Sequence, residues 1–259
     1  MDNEQHINKL TEIGYSSIKG ILSDKEVNYF KKYVGSKHID KLSRKEKVFY
    51  DVRNNYFKNL KYYFINKKIN KIINKFELKK IASEAIGSKV ELERVDGYFS
   101  EISKNFILDW HVDRAYSGNP KPEKFLSPDD YAIKCILYLD DVETQNGCLG
   151  IIKKSNKITY YIRKGIFEGK ITYEPYWKLV DLLQYVKKNE IYNYISKFIS
   201  EDVIKNFIKD SEFILKSKDT FDFDISHKKG DLLIFDETVV HRAAESLNTS
   251  RSIIRLFFK

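Results

Sequence analysis

Apolar residues recur at helical spacing through the first third of the chain and at strand spacing through much of the remainder. Ser23-Asp24-Lys25-Glu26 has the form of a capping box, and it opens a helix that would turn Val27, Tyr29, Phe30 and Val34 toward a core. A second helical stretch runs from about Asn55 to Ile86, broken once, with Gly87 placed to end it. The period then changes. Val90-Glu91-Leu92-Glu93-Arg94-Val95 alternates, Ser127-Pro128-Asp129-Asp130 reads as a turn, and Tyr131 to Leu139 is rich in strand formers. Gly230-Asp231 reads as a turn feeding the apolar strand Leu232-Leu233-Ile234-Phe235. Helical spacing returns over residues 158–218, where Trp177, Leu179, Val180, Leu182, Leu183, Tyr185 and Val186 precede Tyr192, Tyr194, Ile195, Phe198 and Ile199. This insertion is expected to form a lid or a dimer surface, most of its aromatics reading as residues that pack it onto the strand-built core, with Tyr173, Tyr176 and Trp177 at its start as candidates to face a substrate. No repeat or low-complexity linker divides the chain, so residues 1–259 are read as one domain, with a mostly helical part over 1–88 and a strand-built core over 89–259.

Composition narrows the class. A chain of 259 residues, 42% hydrophobic and 14% aromatic, is enough for one β-rich core with helical additions. No run of 18 apolar residues occurs, and Met1-Asp2-Asn3-Glu4-Gln5 lacks a basic region followed by an apolar one, so the expectation is a cytoplasmic protein without membrane contact, as a monomer or homodimer. Cys135 and Cys148 lie in apolar surroundings and read as buried thiols. The net charge of +9 raises nucleic acid as a partner, but only eight of the 46 basic residues are arginines, the usual readers of phosphates and base edges. Lys67-Lys68 and Lys79-Lys80 alternate with apolar residues at helical spacing and read as solvated helix faces, so no nucleic-acid partner is expected.

The candidate chemistry lies in Asp109-Trp110-His111-Val112-Asp113 and, 128 positions after Asp113, in His241. Residues two apart on a strand share a face, so His111 and Asp113 can grip one ion, and His241 completes a two-histidine, one-carboxylate set that suits a non-haem Fe(II) oxygenase. An isolated His-x-Asp is common by chance; the turn and apolar strand before His241 give it weight. Arg251 opens the last strand, and its planar fork matches the distal carboxylate of 2-oxoglutarate. Arg255, four residues on, shares that face and is the alternative anchor. Lys134 shares a strand face with Ile136 and Tyr138 and is a candidate contact for cosubstrate or substrate; the other reading is an edge-strand surface lysine. Asp236 is a candidate to orient the following loop or a ligand imidazole. His227, among lysines, reads as surface.

These segments resemble the Fe(II)/2-oxoglutarate dioxygenases of the phytanoyl-CoA dioxygenase family. Trp110-His111-Val112-Asp113 is similar to that family's WHxD segment, Asn146-Gly147-Cys148-Leu149 to its NGxL turn, Gly230-Asp231 to its GD strand, and His241 through Arg251 to its closing histidine and 2-oxoglutarate arginine. The resemblance covers roughly Val90 to Lys259. Where the family commonly has a Pro-Gly-Ser-His turn after NGxL, this chain has Lys153-Lys154-Ser155-Asn156-Lys157.

The resemblance implies a mainly β fold with α additions: a double-stranded β-helix (jelly roll, cupin-like) with N-terminal helices and a helical insertion. It implies iron held by His111, Asp113 and His241, with 2-oxoglutarate and O2 as cosubstrates and Arg251, Arg255 or Lys134 as their contacts. The implied reaction is hydroxylation of an unactivated C–H of a small molecule with release of succinate and CO2, and the net charge of +9 favours an anionic or carrier-linked substrate. Asp113 argues against halogenation, which needs a small residue there. The alternatives are a nucleic-acid-demethylating dioxygenase, although Arg251-Ser252-Ile253-Ile254-Arg255 lacks the asparagine expected between its paired arginines, and a non-catalytic cupin-like binding protein. A zinc hydrolase would need a general base that no spacing here supplies.

Overall fold

In the computed structural model, residues 3–34, 60–103, 107–113, 115, 128–217 and 220–259 are described. Residues 55–59 of the second expected helix and Ser127 of the expected turn lie outside them; the turn itself is seen at Pro128-Asp129. Ser23 and Glu26 do cap each other, with Glu26 Oε2 2.9 Å from Ser23 N and 2.7 Å from its Oγ. The helix opened by this box, α2 (Asp24–Val34), comes after α1 (Asn3–Ile13) and before α3 (Leu60–Lys75) and α4 (Leu78–Ile86). Left-handed Glu77 makes the single break between α3 and α4, and Gly87 at φ 77° ends α4 by donating its N–H to Ser83 O. Val27, Phe30 and Val34 are buried as expected, and Tyr29 is half-buried.

Nine strands make two antiparallel sheets among the described residues. The larger has the order β1 (Tyr15–Ile18), β7 (Leu232–Asp236), β4 (Ile133–Tyr138), β9 (Arg251–Phe258), β2 (Leu92–Ser100). The smaller runs β3 (Leu108–His111), β8 (His241–Ala243), β5 (Leu149–Ile151), β6 (Asp224–Ile225). β1 is not expected in a helix-patterned region; it is a strand because Tyr15 to Ile18 pair with Phe235 to Leu232 at the sheet edge.

Alternation sorts the side chains. Ile133, Cys135 and Leu137 of β4 and Ile254, Leu256 and Phe258 of β9 join α1 to α4 in one core on the outer face of the large sheet. Their neighbours Ile136, Tyr138 and Ile253 turn inward and meet Leu149 and Ile151 of the small sheet. Strands covered on both faces carry little polar alternation, which is why β4 and β7 read as near-continuous apolar runs. This is the double-stranded β-helix with helical additions that the resemblance implied.

The insertion lies between β5 and β6 as α5 (Ser155–Phe167), α6 (Leu179–Val186), α7 (Asn189–Ile195) and α8 (Glu201–Lys216). Ile158, Ile162, Leu182 and Ile204 pack in one core with Trp110, Ile152 and Val240, so these helices cover the outer face of the small sheet. No helix among the described residues is long and apolar enough to cross a membrane.

Candidate metal centre

His111 and His241 face each other across the paired strands β3 and β8, with ring centroids 4.4 Å apart. Simple strand alternation would not achieve this. Leu108 pairs with Ala243 and His111 with His241, so three steps on β3 match two on β8, a bulge of the kind that re-aims a side chain. Leu108 and His111 therefore both face the interior although they are three apart, and Trp110 packs outward against Phe223. β3 ends at His111, and Asp113 comes after it in a turn rather than on a regular strand. The shared face read from the sequence exists, but through the strand's end.

Each imidazole is fixed from behind. His111 Nδ1 lies 2.6 Å from Asp109 O and His241 Nδ1 2.9 Å from Val239 O. A carbonyl can only accept, so both Nδ1 atoms carry the proton and both Nε2 lone pairs point forward. Asp113 stands in front of them, with Oδ1 3.5 Å from His111 Nε2 and Oδ2 3.2 Å from His241 Nε2. One donor atom from each residue lies within 4.8 Å of the others. His111 Nε2 is buried without a hydrogen-bond partner among the described residues. A lone pair in that position, beside a second imidazole and a carboxylate, fits a metal ion. Burial works to raise the Asp113 carboxyl, but His241, His111 and Lys134 outweigh it and hold it well below the usual carboxylate range. Burial lowers His241, favouring the neutral imidazole that a metal needs.

One cavity of about 260 Å³ collects His111, Asp113, His241, Lys134, Arg251 and Arg255 among apolar walls that include Ile136, Leu149, Phe235 and Ile253. The two arginines differ. Arg255 is engaged by Asp96 through two hydrogen bonds of 2.7 and 2.9 Å. Arg251, 3% exposed, donates to Gly147 O and, at 3.4 Å, to Ser100 Oγ; its Nε has no hydrogen bond, and no carboxylate pairs with it among the described residues. Burial lowers its pKa. A buried guanidinium without a counter-ion calls for an anion.

The Asn146-Gly147 turn builds this arginine's seat. Asn146 Oδ1 accepts from the backbone of Asn248 and Thr249, tying the turn to the segment before β9. Gly147 has φ 77°, and a Cβ there would stand 2.9 Å from both Arg251 Cδ and Ser246 Oγ. The sequence carried the turn but not this role. Arg242 also escaped notice. It points outward from β8, pairs with Asp224 of β6 at 2.6 Å and lies 5.4 Å from the Trp110 ring of β3, tying β8 to both.

Other expectations are corrected. Lys134 is on no edge, because β4 is the middle strand of the large sheet; its ammonium contacts Asp113 Oδ2 and lies 3.7 Å from Glu237 Oε2. His227 is not at the surface. A backbone bridge to Val142 turns it inward, where it stacks on Tyr138 at 4.7 Å and bonds Ser17 Oγ at 2.9 Å, and burial lowers its pKa to about 4. Asp236 orients the loop by accepting from Thr238 N at 2.8 Å and Oγ1 at 2.7 Å, but both imidazoles are held by carbonyls instead. Tyr173, Tyr176 and Trp177 do not line the cavity; Tyr176 stacks on Tyr185 inside the insertion, and Trp177 lies 5.5 Å from the His111 ring. Where the Pro-Gly-Ser-His turn is missing, left-handed Lys154 starts α5, and Ser155 Oγ accepts from Val240 N at 2.8 Å, bracing the loop before His241. Cys135 and Cys148 are free and buried, as expected.

The model of the phytanoyl-CoA dioxygenase family matches residues 10–255, well beyond the segments that carried the resemblance. No curated protein sequence matches. Among solved structures, EvdMO1 is 15% identical with a TM-score of 0.56, over 99% of this chain but 49% of its own length, so the chain spans about half of it. The epimerase SnoN, determined with Fe3+, alpha ketoglutarate and nogalamycin RO, is 12% identical with a TM-score of 0.56, over 99% of this chain and 82% of SnoN. HygX from Streptomyces hygroscopicus, with nickel and 2-oxoglutarate bound, is 13% identical with a TM-score of 0.52, over 98% of this chain and 85% of HygX. These likenesses establish the fold.

Proposed function

The chain belongs to the phytanoyl-CoA dioxygenase family, and from that premise we propose that it is an Fe(II)- and 2-oxoglutarate-dependent oxygenase that hydroxylates an unactivated C–H of a small molecule. In this reading His111, Asp113 and His241 hold the iron. Bound iron would supply the redox chemistry, in which O2 oxidises 2-oxoglutarate to succinate and CO2 and its second oxygen atom enters the substrate C–H. The observation that carries the proposal is Arg251, a buried guanidinium with no carboxylate partner among the described residues and facing the same cavity as the three candidate ligands. It would receive the distal carboxylate of the cosubstrate in two parallel hydrogen bonds. The fixed Nδ1–H bonds hold both imidazoles in the coordinating tautomer, and Ile136, Leu149, Phe235 and Ile253 keep water from the reacting face.

SnoN, named as an epimerase, carries another outcome on this fold, so the hydroxylation in this proposal is not taken from the neighbours. Asp113 keeps a third protein ligand where halogenation would need a small residue. Lys134 and Arg255 each face a carboxylate, so apart from Arg251 the cavity suits an apolar reacting group, and an anionic or carrier-linked remainder would lie outside it. The test is an anaerobic titration of metal-free protein with Fe(II) and 2-oxoglutarate, following the visible charge-transfer band of the chelate. A band in the wild type and none in Asp113→Ala is expected. Absence of a band in the wild type would overturn the reading.

A further inference from the structure

The three candidate metal ligands are not equally braced. Both imidazoles are pinned through Nδ1 to backbone carbonyls, whereas Asp113 lies past the end of β3 in a turn and its side chain is 25% exposed. Among the described residues the only side chain outside the triad that holds Asp113 is Lys134. That lysine rises from the central strand of the large sheet, and its side chain is 12% exposed. On its other side its ammonium faces Glu237 Oε2 at 3.7 Å. Glu237 is itself fixed, because its Oε1 accepts from Ala132 N at 2.7 Å, and it stands in the loop that leads to His241. Lys134 thus ties the segment carrying Asp113 to the segment carrying His241.

We propose that Lys134, braced by Glu237, is a positioning residue for the metal carboxylate: it does for Asp113 what the Asp109 and Val239 carbonyls do for the two histidines. The inference rests on the reading of Asp113 as a metal ligand. Its chemical content is specific. An ammonium on one carboxylate oxygen leaves the other to the metal, so Asp113 binds through a single oxygen. With two imidazoles and one carboxylate oxygen, an octahedral ion keeps three positions, two for a chelating 2-oxo acid and one for O2. A carboxylate free to bind through both oxygens would fill one of them.

The test compares wild type with Lys134→Met, Lys134→Arg and Glu237→Gln, using Co(II) as the probe. Co(II) affinity is read by titration, coordination number by the visible d–d spectrum, and folding by thermal melting and circular dichroism. Partner groups around metal ligands typically contribute 10–100-fold to metal affinity. Lys134→Met should therefore bind Co(II) 10–100-fold more weakly with a changed d–d spectrum, Lys134→Arg should recover most of both, and Glu237→Gln should shift affinity the same way by less. A folded Lys134→Met that binds Co(II) as tightly as wild type, or more tightly, with an unchanged spectrum overturns the proposal, since the lysine would then be only a cation competing for the carboxylate. If Lys134→Met does not fold, Glu237→Gln decides: wild-type Co(II) affinity and spectrum in folded Glu237→Gln overturn the proposal equally. Wild-type protein that binds no divalent ion refutes the metal-centre reading itself, which separates the two failures.

Discussion

Gly147→Ala isolates the seat of Arg251. At φ 77° an L-residue is strained by about 1–2 kcal/mol. The added Cβ would also sit 2.9 Å from Arg251 Cδ and from Ser246 Oγ, so the arginine must retreat by about half an ångström to regain ordinary contact. Because Gly147 O is one of the two acceptors that hold this guanidinium among the described residues, the retreat misaligns the fork that would meet the cosubstrate. The expected result is a loss of about 10-fold in 2-oxoglutarate affinity, about 1.4 kcal/mol, read from the chelate absorbance under anaerobic Fe(II). Gly87→Ala is the control, since Gly87 has the same φ of 77° and no atom within 4 Å of an added Cβ. Urea melts should show backbone strain in both variants, with the affinity loss confined to Gly147→Ala. Unchanged 2-oxoglutarate affinity in a folded Gly147→Ala protein would refute the link between this turn and the arginine.

His111→Ala, Asp113→Ala and His241→Ala should each abolish turnover with loss of iron, whereas Arg251→Ala should mainly raise the 2-oxoglutarate requirement; metal analysis alongside succinate assays separates the two classes. Asp224→Asn removes the nearer of the two carboxylates on buried Arg242 and should destabilise the fold by up to about 3 kcal/mol in urea denaturation, while a loss under about 1 kcal/mol would mean that Glu245, 3.6 Å from the guanidinium, balances it alone. His227, lowered to about 4 in the folded protein from an ordinary 6.5, makes stability fall as pH drops from 6.5 to 4, whereas Asp236, raised to about 6 from 3.8, makes it rise over nearly the same window. At about 1.4 kcal/mol per pKa unit each is worth about 3 kcal/mol, so acidification from pH 6.5 to 4 should cost Asp236→Asn about 3 kcal/mol more than wild type and His227→Gln about 3 kcal/mol less. Equal pH slopes in all three proteins would contradict both assignments.

What could be read from the sequence was what neighbouring residues decide. The capping box at Ser23, the stop at Gly87 and the apolar runs of β4 and β7 are all local, and each appears where the sequence places it, whereas the His-x-Asp pair meets on one side although Asp113 stands in a turn past the strand end. What was missed depends on partners distant in sequence. β1 exists because Tyr15 to Ile18 reach β7, more than two hundred residues away. The bulge that turns His111 inward is a mismatch between two strands, which no single strand's alternation reveals. Lys134 could be assigned to the inner face by its phase with Ile136, but its contact with Asp113 joins a strand of the large sheet to the turn that follows a strand of the small one. Lysine neighbours made His227 look solvated, and its bridge to Val142 overrode them.

The alternation along β4 and β9 divides inheritance as well as space. Ile133, Cys135, Leu137, Ile254, Leu256 and Phe258 answer to the helices packed over them, while Lys134, Ile136, Ile253 and Arg255 answer to the cavity. A lineage could exchange residues of the second parity and change what enters the cavity without disturbing the first, so new chemistry could arise on an unchanged scaffold by substitutions two positions apart. Insertions in these strands have no such freedom, because a single added residue that is not absorbed in a bulge would swap the two sets beyond it.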